Sequence, residues 1–230
     1  MTTRAIAAAG WVAAGAAVAA SAGDLLLLAV ATPATPALAV GTALGRQVLV
    51  IGHYLGVLAI PLYALGYRYV GDRLGPPYAR PLTALGLCGG IVGGTIHGVT
   101  SVAIAAGGLG AATQLGSSPV PASSPFAAYI LPLWAIVTAA VLAGSVAFTI
   151  AVMRGNGDYV RWMALASPAA LVVVIGACAS VSSAARALIA PAAPNLARVA
   201  FFALASANVT RRRSADSPDA ARRRSSSASP

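Results

Sequence analysis

The sequence predicts an all-α fold: a polytopic transmembrane helix bundle of about six spans with both termini cytoplasmic. Three observations carry that prediction. Apolar stretches of about 18 residues or more recur along the chain, each long enough to cross a hydrocarbon core of about 30 Å as a helix. Only 9% of the 230 residues are charged while 58% are hydrophobic, with a mean hydropathy of +0.81, whereas soluble domains carry roughly 25% charged residues. The arginines, finally, segregate to one side of an alternating-span arrangement, as cytoplasmic positive charge does. A membrane β-barrel would show short alternating segments, and none is present.

The first span, about 9–31, follows Arg4. "ASA" at 20–22 resembles the small-residue cleavage site of a signal peptide, but the apolar run continues through "LLLLAVA" at 25–31, which favours an uncleaved helix. The second span, about 48–69, contains Pro61, expected to kink it. Tyr63, Tyr67 and Tyr69 fall towards its cytoplasmic end, where an aromatic belt is expected. The third, about 82–105, carries "GGTIHGVTS" at 93–101, and the uncharged connection 106–126 is assigned to the outside. The fourth and fifth spans are about 127–153 and 163–185. The sixth, about 192–209, begins in "APAAPN" and contains Arg198, so a short, tilted or partly interfacial helix is expected there.

This arrangement places Arg4, Arg68, Arg73, Arg80, Arg154, Arg161 and both arginine triplets of the tail on the cytoplasmic side, and leaves only Arg46 and Arg186 in outer loops. Asp72, Arg73, Asp158 and Arg161 read as solvated loop charges. The chain divides into a helical bundle, 1–209, and a basic Arg/Ser-rich tail, 210–230, expected to be disordered because it lacks apolar periodicity. The tail serves as a topology determinant and attracts anionic membrane lipids. "NVT" at 208–210 matches a glycosylation sequon by chance, given its cytoplasmic position. A net charge of +10 therefore reflects membrane topology and not nucleic-acid binding. Cys88 and Cys178 have neither redox nor metal spacing and read as unpaired thiols. The chain has no Walker loop, dinucleotide fingerprint or HExxH motif, and no cofactor is expected.

Few ionisable residues lie inside the spans, and lipid cannot solvate them, so each needs a partner or must neutralise. They are Asp24, His53 and His97, with Asn195 opening the sixth span. Alternating span direction and a rise of 1.5 Å per residue put the three ionisable groups at a common depth, roughly 8 to 12 Å below the outer boundary. Small residues three and four positions away, Gly90, Gly93 and Gly94, direct His97 into the bundle. His53 shares a face with Gly56 in the same way. Tyr54, Tyr129, Trp134 and Phe126 fall where they would line the same cavity and bind substrate.

Four readings of this cluster are open: a structural polar network, a metal site of two histidines and a carboxylate, acid–base catalysis, and transport. No metal is assigned, because three helices supply the ligands without diagnostic spacing. The catalytic reading rests on a desolvated carboxyl keeping its proton near neutral pH. A neighbouring neutral histidine would orient it or accept a proton, and aromatic faces would stabilise developing positive charge.

In plan, a small helical bundle with a few buried acid, His, Tyr, Trp and Asn side chains resembles the membrane-embedded terpene cyclases and the emopamil-binding-type sterol isomerases. The resemblance covers residues 9–209 and implies protonation of an olefin or epoxide within the membrane. It implies Asp24 as the acid, His53 or His97 as supporting groups and Trp134 as a cation-facing aromatic. The chain departs from those families in having no Glu and a single intramembrane carboxylate, which argues against a two-carboxylate mechanism. The expected function is isomerisation or cyclisation of an isoprenoid-like lipophilic molecule by a multi-pass protein of the cell membrane. A proton-coupled or small-solute transporter, its missing helices supplied by oligomerisation, is the alternative, with a non-catalytic membrane protein as a third.

Overall fold

Proline and glycine determine where the helices of this chain break. The computed structural model describes residues 3–31, 36–106 and 127–215; the connection 107–126, which includes Phe126, and the tail from 216 onwards lie outside the described residues. Helix α1 spans Thr3–Ala31. After a short 3-10 turn at Pro36–Leu38, α2 covers Ala43–Ala59, its first turn capped by the Thr42 hydroxyl, which accepts from the Gly45 N–H. Pro61 lacks an N–H for the helical ladder, and a 3-10 turn at Ile60–Leu62 separates α2 from α3, Tyr63–Leu74, at the kink expected from sequence. A single residue, Gly75, joins α3 to α4, Pro76–Ala105. Its φ of +109° suits glycine, and the following prolines start α4 where no N–H is needed.

Helix α5 spans Ala127–Met153. A 3-10 segment, Arg161–Ala166, then leads to α6, Pro168–Ala179. Short α7, Ser183–Ile189, precedes α8, Ala193–Ala215. All regular structure among the described residues is helical. Four helical stretches are long and apolar enough to cross a membrane: Ala8–Ala31, Ala43–Leu74, Pro76–Ala105 and Ala128–Met153. They correspond to the first four spans read from the sequence.

The fifth span differs from its expectation as one helix over 163–185. Pro168 forces Ser167 into an extended conformation (ψ 150°), so the 3-10 turn and α6 meet at a break, and the chain turns again at Ser180–Ser182. The twelve residues of α6 reach only about 18 Å by themselves. In the last segment, α8 passes the boundary placed at 209 and stays helical to Ala215.

Helix α1 packs on α2, α3 and α8, and α4 packs on α3 and α5. The main core is aromatic: Tyr63, Tyr67, Tyr69, Phe148, Phe201 and Phe202 are all buried within it. This corrects the aromatic-belt expectation for Tyr63, Tyr67 and Tyr69, which face the protein interior and α8 instead of the lipid–water boundary. The reading of solvated loop charges is corrected for Arg73, while Asp72 and Arg161 are exposed as expected. Arg73 Nη1 pairs with Asp158 Oδ2 at 3.3 Å, with the Arg73 side chain only 11% exposed. The Asp158 N–H donates to the Arg73 carbonyl, and Asn156 Nδ2 donates to the Tyr78 hydroxyl. The segment after α5 is thereby fastened to the α3–α4 corner. Gly157 (φ +79°) makes the fit possible, since a Cβ there would overlap the Arg73 carbonyl. Cys88 and Cys178 are free and exposed.

Candidate functional site

Where α1 and α2 cross, neither has a side chain: a Cβ at Gly23 would stand 2.8 Å from the Gly52 carbonyl oxygen, and one at Gly52 3.1 Å from that of Gly23. This close approach brings the next residue of α1, Asp24, beside the bare face of α2 formed by Gly52 and Gly56, which share a side at i, i+4. His97 of α4 fills the groove so left, its ring lying where a Cβ on Gly56 would be. The imidazole is 5% exposed. Its Nε2 donates to the Gly52 carbonyl at 3.0 Å, and its Nδ1 lies 3.2 Å from Asp24 Oδ1.

Helix α8 completes the cluster. Asn195 Nδ2 donates to Asp24 Oδ2 at 2.7 Å, and the Tyr63 hydroxyl donates to Asn195 Oδ1 at 2.8 Å. Arg198 lies one turn further along, 6% exposed, its guanidinium 5.1 Å from the centre of the Tyr63 ring. Its Nη1 donates to the Pro194 carbonyl. Hydrogen bonds thus join Tyr63 of α3, Asn195 of α8 and Asp24 of α1, another joins His97 of α4 to Gly52 of α2, and the 3.2 Å approach of His97 to Asp24 brings the two sets together.

Proton positions follow from the partners. His97 Nε2 faces a carbonyl oxygen, which can only accept, so Nε2 bears a hydrogen. The other ring nitrogen, Nδ1, is the one that faces Asp24 Oδ1 at 3.2 Å. The Asn195 amide is oriented by Tyr63, so it presents a donor to Asp24.

The Asp24–His97 pair borders a cavity of about 140 Å³. Asp24, His97, Asn195 and Arg198 supply its polar wall, and Leu27, Ile60, Ile104, Val137 and Trp134 much of its apolar wall. The structure therefore brings Asp24, His97, Asn195 and Trp134 to one site. His53 is elsewhere: one residue from Gly52, its side chain is turned about 100° away, near Gly98 and edge-on to the Tyr54 ring at 5.1 Å. Its Nδ1 is buried without a hydrogen-bond partner among the described residues. With His53 apart from Asp24 and His97, the metal set of two histidines and one carboxylate does not assemble, and no other trio of His, Cys, Asp or Glu converges among the described residues. Tyr54 and Tyr129 are 56% and 69% exposed and do not line the cavity.

Sequence reasoning missed Tyr63 and Arg198 as members of the site. Arg198 had a usable signal: it stands at i+3 from Asn195 and so shares its face. Tyr63 had none, because the 3-10 turn before it resets the direction in which α3 presents its side chains. Compared with known proteins, the chain matches no family model, no curated protein and no solved structure.

Proposed function

We propose that this chain is a six-span protein of the cell membrane, with both termini cytoplasmic, that donates a proton to an isoprenoid-like lipophilic molecule and so isomerises or cyclises it. The topology is supported by the asymmetric distribution of arginines. It is also supported by reach: the 3-10 segment at about 2.0 Å per residue and α6 at about 1.5 Å per residue extend together about 30 Å, enough for a broken fifth span. A break at that depth is tolerated where protein covers it, and Met163, Ala164 and Ala166 are buried.

The observation that carries the chemistry is the 3.2 Å approach of the Asp24 carboxyl to His97 Nδ1 beside a largely apolar cavity. The proton moves from the pair to one carbon of an alkene, or to an epoxide oxygen. The pair is left as the Asp24 carboxylate with neutral His97, and loss of a proton from another carbon restores it. The sequence is redox-neutral and requires no cofactor. Asn195 holds the carboxylate through Oδ2, and the Trp134 face stabilises positive charge on the substrate. A cavity of about 140 Å³ matches the size that accepts benzene, about 150 Å³. It therefore holds one end group of a long substrate, whose remainder would extend into lipid.

The test compares organic extracts of cells making the wild type or Asp24→Asn at matched membrane levels, each fed linear prenylated and epoxidised precursors. A product of unchanged mass that Asp24→Asn fails to form is expected; undiminished turnover by the variant would remove Asp24 as the acid. Proton-coupled transport is the second reading, favoured by the spread of the polar cluster over five helices. It predicts solute flux in sealed vesicles with no product formed.

A further inference from the structure

We infer that Gly89 sets the size of the apolar group the cavity admits: a benzene-sized ring, with one methyl-sized substituent directed past Gly89 into a recess beside it. That the ring is one end of a longer lipophilic molecule rests on the function proposed above; its binding is independent of any proton transfer at Asp24. Helix α4 carries Gly86, Gly89, Gly90, Gly93, Gly94 and Gly98. All but Gly89 pack against the α2–α3 segment. A Cβ at Gly86 would stand 2.7 Å from the Tyr67 side chain, one at Gly90 3.0 Å from Pro61 Cα and one at Gly93 3.1 Å from Ile60 Cγ2, while those at Gly94 and Gly98 would touch Val57. Gly89 is also buried, yet a Cβ there would meet nothing within 4 Å. The other described glycines with such open space, Gly15, Gly41, Gly155 and Gly176, are all exposed.

No local demand explains a glycine at this position. Its φ is not positive, so alanine would fit the backbone and favour the helix. A methyl group would also gain the dispersion contacts that the walls of a void lack. What the glycine provides is the void itself. Gly89 lines both the cavity of about 140 Å³ and a recess of about 10 Å³ bounded by Tyr67, Leu85, Ala140 and Val141. The first volume is close to the roughly 150 Å³ that accepts benzene, and the second holds about one water-sized sphere, room for a methyl group. Lipid tails are as apolar as these walls. A ligand therefore gains by filling empty volume and not by leaving water, so selection follows size and shape.

Toluene and the bulkier mesitylene are the probes, titrated into the full-length protein in detergent micelles with its tryptophans fluorinated. Trp134 lines the cavity, whereas Trp11 and Trp162, 52% and 53% exposed, report probe dissolved in the micelle. Toluene is expected to shift the Trp134 fluorine resonance saturably, with an affinity about tenfold or more above that of mesitylene at equal mole fraction in the micelle. Gly89→Leu, which fills the void, is expected to weaken toluene binding by about tenfold or more. Gly89→Ala, the variant to use if Gly89→Leu fails to fold, is expected to weaken it about threefold. It should also unfold at no lower SDS fraction than wild type, since its Cβ enters open space. Toluene moving Trp134 no more than Trp11 and Trp162, equal affinity for the two probes, undiminished toluene binding by Gly89→Leu, or a Gly89→Ala protein less stable than wild type would each overturn the inference. Saturable toluene binding in a protein that converts no precursor would support the size selection and count against the proposed function; conversion by a protein that binds no toluene would do the reverse.

Discussion

A single methyl group at position 56 tests the architecture of the site. In Gly56→Ala the new Cβ would coincide with the His97 ring, overlapping Nε2, Cδ2 and Cε1. The imidazole has to leave the groove, losing its bond to the Gly52 carbonyl at 3.0 Å and its approach to Asp24 at 3.2 Å. An unsatisfied buried polar group costs about 1–3 kcal/mol and overpacking about 1–3 kcal/mol, offset by about 1 kcal/mol of helix propensity gained from Gly to Ala. The expected net loss is about 1–5 kcal/mol. Gly15→Ala, also mid-helix, meets nothing within 4 Å and is expected to be neutral or to stabilise by up to about 1 kcal/mol. Equilibrium unfolding of both variants by SDS in mixed micelles reads the difference directly. A Gly56→Ala protein as stable as Gly15→Ala would refute the placement of His97 against α2.

Asn195→Ala removes the link between Tyr63 and Asp24 and is expected to cost about 2–4 kcal/mol; combined with Tyr63→Phe, the losses should fall short of additive by about 0.5–3 kcal/mol in the same unfolding assay. Asp158→Ala should cost less than about 1 kcal/mol, since its side chain is 49% exposed. Gly157→Ala should cost more than about 2 kcal/mol, because it combines a positive φ with overlap on the Arg73 carbonyl. Burial pushes the Tyr159 phenol well above its ordinary 10.0, with the neighbouring Tyr69 adding to the shift. The folded state then holds that proton more tightly than the unfolded one, so stability is full below pH 10 and falls as pH rises beyond it. Tyr159→Phe, whose lost hydroxyl has no hydrogen-bond partner among the described residues, should flatten that alkaline loss in unfolding titrations between pH 9 and about 11 with little cost at neutral pH.

Run length and scarcity carried much of the outcome in the sequence. The first four apolar runs are long enough that tertiary context could not redirect them, and Asp24, His97 and Asn195 stood out because lipid-exposed positions rarely hold such side chains. Orientation was less legible. His53 lies beside Gly52, yet the α2 face that receives His97 is formed by Gly52 and Gly56, and one residue along a helix rotates a side chain by about 100°. The Arg73–Asp158 pair joins positions 85 residues apart, which no local pattern reveals. The break at Ser167 was readable from Pro168, but hydrophobicity over 163–185 concealed it.

The central claim is that the Asp24–His97 pair supplies the proton, and deuterium incorporation tests it most directly. Membranes containing the protein are equilibrated in D2O, given an olefinic precursor that is protonated at carbon, and the product is weighed by mass spectrometry against one formed in H2O. The account predicts that the wild-type product carries solvent deuterium at the protonated atom and that Asp24→Asn forms no product. Product without deuterium at that atom, or deuterated product formed equally well by Asp24→Asn, would contradict it.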